Sequence, residues 1–155
     1  MKLLSILAVA VGGSLLALLI MLLIKAQASK EGVATGLVNG QLSACSPKPN
    51  CVNSEADSGA DKWVAPLTYA GSADAAWQRL QQVIQAQGGV LVRVDGDYLA
   101  ATFSSNLFGF VDDFEARLDA AQGVIQLRSA SRVGQSDLGA NRTRVAQLRQ
   151  RFSAP

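Results

Sequence analysis

The stretch Phe110–Arg144, FVDDFEARLDAAQGVIQLRSASRVGQSDLGANRTR, constrains the fold more than any other part of this chain. Its spacing predicts a β-hairpin, a turn and the start of a helix. Taking Ala120–Gly123 as the hairpin loop sets Asp119 opposite Val124. Phe114 then faces Ser129, Ala116 faces Leu127 and Leu118 faces Ile125, all on one apolar face. A one-residue slip would turn every one of these side chains to the other face. On the second face Glu115 meets Arg128, a cross-strand pair of opposite charge. The same register sets Asp112 opposite Ser131 on the apolar face. Buried polar groups cost stability unless they are partnered. Asp112, Ser129, Ser131 and Asn141 therefore need partners, and a donor such as Ser131, Asn141 or an arginine is expected at Asp112.

The rest of the domain follows from the same rules. Trp63–Tyr69 reads as a first strand, placed at a sheet edge by Pro66. Ser72 is a good N-cap. Ala73, Ala76, Trp77, Leu80, Val83, Ile84 and Gln87 then follow helical spacing, and Gly88-Gly89 ends the helix. Val90–Asp95 and Tyr98–Ser104 form a hairpin about Gly96-Asp97. Pairing Asp95 with Tyr98 sets Val94 opposite Leu99, Val92 opposite Ala101 and Val90 opposite Phe103. Leu107 and Phe108 stand in the next loop, able to meet a membrane or partner, or to fold under the sheet. Gly134–Gly139 is a turn, and Asn141, Val145, Leu148 and Phe152 make the buried stripe of a last helix. Arg142, Arg149, Arg144 and Arg151 flank that stripe, where their stems can cover apolar surface.

Ahead of the domain, Leu3–Ile24 runs 22 residues without a charge. About 20 apolar residues in a helix cross a bilayer core. A cleaved signal peptide is the rival reading, since Ala26-Gln27-Ala28 has the small-x-small form. Its apolar region would be long for that role. Residues 25–44 are rich in Gly, Ala, Ser and Gln without periodicity and read as a flexible tether. The expected organisation is an anchor over 1–24, a tether over 25–44 and a folded domain over 45–152. The expected class is α+β: an N-terminal transmembrane helix, then a small antiparallel sheet of about five strands with two helices packed on one face.

Cys45 and Cys51 are the only cysteines, in CSPKPNC, where Pro47, Pro49 and Asn50 favour turns. A disulfide fits that short loop and an oxidising compartment. Two independent thiols are the alternative. A disulfide favours a helix with its N-terminus inside and the domain outside the cytoplasm. Leu42-Ser43-Ala44-Cys45 imitates a lipoprotein box, but some twenty polar and Gly-containing residues separate it from the apolar run.

The chain contains no histidine. This removes His-based nucleophilic machinery and the commonest metal ligand. From Cys45 onward 11 basic residues balance 11 acidic ones, which argues against nucleic acid. Residues 128–151 nonetheless carry six arginines and one acid, Asp137.

The segments PNCVNS, FVDDFE and IQLRSASRVGQSDLGANRTR resemble the family numbered 1499 among domains of unknown function, over residues from about 42 to 152. The resemblance implies a bacterial or plastid protein, often with an N-terminal membrane segment or lipoprotein signal, and no established activity. Its pattern maps onto Cys45, Pro49, Asn50, Cys51, Asp112, Asp113, Glu115, Arg128, Ser129, Ser131, Arg132, Gly134, Asp137, Gly139, Asn141 and Arg144.

Asp113 and Glu115 are expected to pair with arginines on an exposed face. Adjacent strand residues point to opposite faces, so Asp112 and Asp113 make no dyad without a bulge. Arg128, Arg132, Arg142 and Arg144 can bind an anion such as a lipid headgroup, or bridge internally to the acidic strand. Gly134–Gly139 with Asp137 can hold an anion at a helix N-terminus, or be a plain turn with an Asx cap. The leading expectation is a single-pass protein of a bacterial inner membrane with a periplasmic, non-enzymatic binding or accessory domain. It needs no catalytic residue, metal or cofactor. Its ligand or partner surface is Asp112, Asp113, Arg128, Ser131, Arg132, Asp137, Asn141 and Arg144. Its partners are the membrane and a membrane protein complex or lipid. The alternatives are a binder of a small amphiphile between sheet and helices and, less favoured, a carboxylate-dependent hydrolase.

Overall fold

A computed structural model describes residues 2–55 and 59–154 of the chain. Helix α1 spans Lys2–Lys30, and its apolar part is long enough to cross a bilayer. It is followed by two short strands, β1 (Leu37–Val38) and β2 (Gln41–Leu42). Strands β3 (Cys51–Asn53) and β4 (Leu67–Thr68) precede helix α2 (Ala73–Ala86). Strands β5 (Val90–Asp95), β6 (Tyr98–Ser104), β7 (Val111–Asp119) and β8 (Val124–Ser131) lead to helix α3 (Ala140–Ser153). The chain is α+β, as expected.

The main sheet has six antiparallel strands in the order β3-β8-β7-β6-β5, with β4 also paired to β8. Two short strands thus share one edge of β8: Cys51–Asn53 pair with Ala130–Arg128, and Leu67-Thr68 with Ile125-Val124. β4 is shorter than the Trp63–Tyr69 strand expected from the sequence, because Pro66 cannot donate to a ladder. Trp63 makes an isolated bridge to Asn53. The stretch Ser54–Asp61, SEADSGAD, reads as a polar loop from its sequence and lies partly outside the described residues.

The β7–β8 register is the one read from sequence at every pair from Asp112↔Ser131 to Asp119↔Val124. The β5–β6 register is not. Asp95↔Tyr98 and Val94↔Leu99 hold, then Val92 is bulged out, and Leu91 instead of Val92 faces Ala101. Val90 accordingly pairs with Thr102, not Phe103. β5 is the sheet edge, where a bulge twists the strand away from further pairing. Leu91 enters the core while Val90 and Val92 stay exposed.

Both α2 and α3 pack on one face. The core joins Trp77, Leu80 and Ile84 of α2 to Leu99, Phe103, Phe114 and Leu127 of the sheet and to Val145, Leu148 and Phe152 of α3. Ser72 caps α2 by accepting from the Ala75 amide at 3.2 Å. Gly89 lets the chain leave α2 tightly: a Cβ there would stand 2.6 Å from both Ile84 and Phe103.

The opposite face is also covered, which corrects the reading of residues 25–44 as a tether. α1 continues to Lys30, and residues 31–44 lie across the sheet as a strap. Leu42 is buried there with Tyr98 and Ala100. Small residues and exposed backbone amides suit a segment that must approach a polar sheet face closely.

Candidate functional site

Strand alternation divides the charged residues into two layers. The strap layer is built around Glu115, which is fully buried. Its carboxylate accepts from the Tyr98 hydroxyl at 2.8 Å, the Gly36 amide at 2.7 Å, the Thr35 hydroxyl at 3.1 Å and the Arg128 guanidinium at 2.6 Å. A carboxylate this deep needs several donors to offset its lost hydration. Burial first, and then the bond to Glu115, pushes the Tyr98 phenol above its ordinary pKa. Arg128 Nε finds no acceptor among the described residues.

Arg132 forms the second pair of this layer. Its Nε and Nη2 donate to Asp113 at 2.9 and 2.7 Å, and its Nη1 to the Ser29 carbonyl of α1 at 3.0 Å. Ser29 Oγ in turn accepts from the Val111 amide at 3.0 Å and donates to the Ala26 carbonyl at 2.6 Å. At the other end of β7, Arg117 donates from Nε to Glu55 at 2.9 Å and from its terminal nitrogen to Asp119 at 2.9 Å. Glu55 also takes the Leu42 amide at 2.9 Å. Asp113 and Glu115 do pair with arginines, but on a covered face, not the exposed one expected. Alternation separates faces without saying which one another segment will cover.

The helix layer centres on Arg144 and Asn141. Arg144 donates to Asp112 at 2.7 Å and to Ser129 at 2.9 Å, and its guanidinium lies 4.8 Å from the centre of the Phe103 ring. Arg144 and the Ser129 hydroxyl both donate to the Asn141 carbonyl oxygen, Ser129 at 2.6 Å. The Asn141 amide group faces the Asn50 carbonyl and Ser131 Oγ at 3.0 Å and Asp137 at 2.9 Å. Asp137 accepts from the Gly139 and Asn141 backbone amides at 3.1 and 2.8 Å, so Gly134–Gly139 is a turn with an Asx cap. The polar residues on the apolar face thus find partners in one another.

The eight residues read as a binding surface therefore fall on two sides of the sheet. Asp113, Arg128 and Arg132 meet the strap; Asp112, Ser131, Asp137, Asn141 and Arg144 meet α3. Arg142 and Arg149 are spent on backbone carbonyls: Arg142 on Trp63 and Asp61, Arg149 on Pro66 and Ala65. The space between the sheet and α2 and α3 is filled by core side chains. Cys45 and Cys51 form a disulfide with Cα atoms 5.7 Å apart, which closes the strap onto β3.

Residue-level reading missed Ser29, Thr35, Gly36, Glu55 and Tyr98 as partners of the charged row. One signal was available. Asn39-Gly40 between Leu37-Val38 and Gln41-Leu42 is a two-residue hairpin turn, and both residues have positive φ, 52° and 78°.

The architecture defines a class: an α+β domain whose sheet carries a charge layer buried under a strap and is fastened to an apolar N-terminal helix. Residues 41–152 match the model of the family described as "Protein of unknown function (DUF1499)". The chain belongs to that family. No curated protein matches the chain.

Proposed function

We propose that the protein is a single-pass, membrane-anchored, non-enzymatic binding module. Its domain stands in an oxidising space outside the cytoplasm, the periplasm in a bacterial envelope. It serves there as an accessory or assembly subunit of a membrane protein complex.

One observation carries this reading. The last turn of α1 is fastened to the sheet through Ala26, Ser29, Val111 and Arg132, with Ala26 and Ser29 buried. A tethered domain would roam; this one is held in one pose against whatever surface α1 enters. The disulfide supports the oxidising compartment. The non-enzymatic reading is supported by the carboxylates. Asp112 is engaged by Arg144, Asp113 by Arg132 and Glu115 by Arg128. Asp112 and Asp113 lie on opposite faces of the sheet, so they form no acid–base pair.

The test is purification of the full-length protein from its native membrane in mild detergent, with mass spectrometry of what accompanies it. A stoichiometric protein partner supports the proposal. Turnover of a substrate by the purified protein, abolished in Asp112→Asn, overturns it.

A further inference from the structure

The loops 105–110 and 134–140 come together beside the last apolar turn of α1. Leu107 is 81% exposed and Leu138 97% exposed. Leu138 also holds φ at +53°, a left-handed conformation that costs an L residue about 1–2 kcal/mol. Within the domain nothing covers this side chain to offset that cost. Both leucines line a single cavity of about 480 Å³ with Leu22, Lys25, Phe108 and Phe110.

Leu22 sets the depth of that cavity. It precedes Ile24, the end of the uncharged run, by about 3 Å along the helix axis. In a bilayer-spanning α1, Leu22 lies at the boundary between hydrocarbon and headgroups. Side chains that line a cavity with Leu22 lie within the width of that cavity of its depth. The clamp at Ala26 and Ser29 fixes that depth, because the domain cannot swing away from α1. Along α1, Leu22, Ala26 and Ser29 lie on the face toward the domain at i, i+4 and i+7, while Met21, Leu23 and Ile24 stay exposed.

We propose that these two loops dip into the bilayer interface beside α1, with Leu107 and Leu138 as apolar anchors and a lipid acyl chain filling the cavity behind them. The proposal rests on the reading of α1 as a membrane span and gives the binding module a lipid partner. Lipid is the occupant because one wall of the cavity, α1, is continuous with the bilayer. Lys25, exposed and without an ion pair among the described residues, stands at headgroup height, where its ammonium can meet a lipid phosphate. The polar wall is neutralised from within: Asp112 by Arg144, and Asp137 by the first amides of α3.

The test uses the full-length protein in phosphatidylcholine and phosphatidylglycerol vesicles whose acyl chains carry bromine as a fluorescence quencher. Leu107→Trp and Leu138→Trp report on the loops; both sites are exposed, so the ring displaces no core. Ile20→Trp reports on α1. Ala121→Trp reports on the β7–β8 turn, about 27 Å along β7 from Val111. Trp63 and Trp77 are a background common to all four. The emission added at 107 and 138 is expected to shift to the blue and to be quenched nearly as strongly as that at 20, with that at 121 untouched. Positions 107 and 138 behaving like 121 while 20 is quenched overturns the inference and leaves the anchored module standing. Position 20 unquenched as well overturns both.

Discussion

Arg132 and Ser29 join the apolar helix to the sheet: the guanidinium donates to the Ser29 carbonyl at 3.0 Å while its fork holds Asp113. The side chains of Arg132 and Asp113 are 11% and 7% exposed. Removing one partner of so covered a pair leaves the other charge uncompensated, at a cost of about 3 kcal/mol. Arg132→Met is therefore expected to destabilise the full-length protein in denaturant titration by about that much. Arg132→Met with Asp113→Leu is expected to recover most of the loss.

Glu115 gives a sharper case, with four donors on one fully buried carboxylate. Glu115→Gln keeps the volume, removes the charge and turns one of the two acceptor oxygens into a donor, which then opposes either the Gly36 amide or the Arg128 guanidinium. The expected loss is about 3 kcal/mol. Amide hydrogen exchange checks where the damage falls: Gly36 and its neighbours in the strap should lose protection before β7 and β8 do.

Two groups of this layer are shifted in opposite directions. The folded state holds the Tyr98 proton more tightly than the unfolded chain does. That contribution is complete below the unfolded value of about 10 and is lost as pH rises beyond it. Asp119 is shifted the other way, lowered chiefly by its hydrogen bond to Arg117. Its contribution is present above the unfolded value of about 4 and is lost as pH falls through the folded one. Denaturant titrations should show Tyr98→Phe flattening the alkaline fall in stability and Asp119→Asn flattening the acid fall.

The disulfide closes the short loop between Cys45 and Cys51. Cys45→Ser with Cys51→Ser should cost about 2 kcal/mol by the loop-entropy argument. Reduction of the wild-type protein should give the same loss, with hydrogen exchange rising first over residues 37–45.

Much of this fold was legible, and the limits have physical causes. The β7–β8 register was readable because an apolar row and the Glu115–Arg128 pair demand the same alignment. α3 was readable because Asn141, Val145, Leu148 and Phe152 keep one helical stripe, even with a polar residue at its head. The bulge at Val92 was not readable, since three valines at alternate positions imitate a buried face on a strand that is in fact an edge. The strap was not readable from its composition, because what covers Asp113, Glu115 and Arg128 comes from 80 positions away in the case of Thr35 and Glu115. Asp112 was rightly expected to need a donor, and the choice of Arg144 from α3 depended on the packing of that helix.

Thiol accessibility in intact cells tests the central claim most directly, because it reads location and bond state together. Cys45 and Cys51 should resist a membrane-impermeant maleimide until a membrane-impermeant reductant is added; Cys45 should then react first, and Cys51, which is buried in β3, once the domain is denatured. Cysteines that need no reduction and are labelled only after the membrane is permeabilised would put the domain in the cytoplasm and contradict the account.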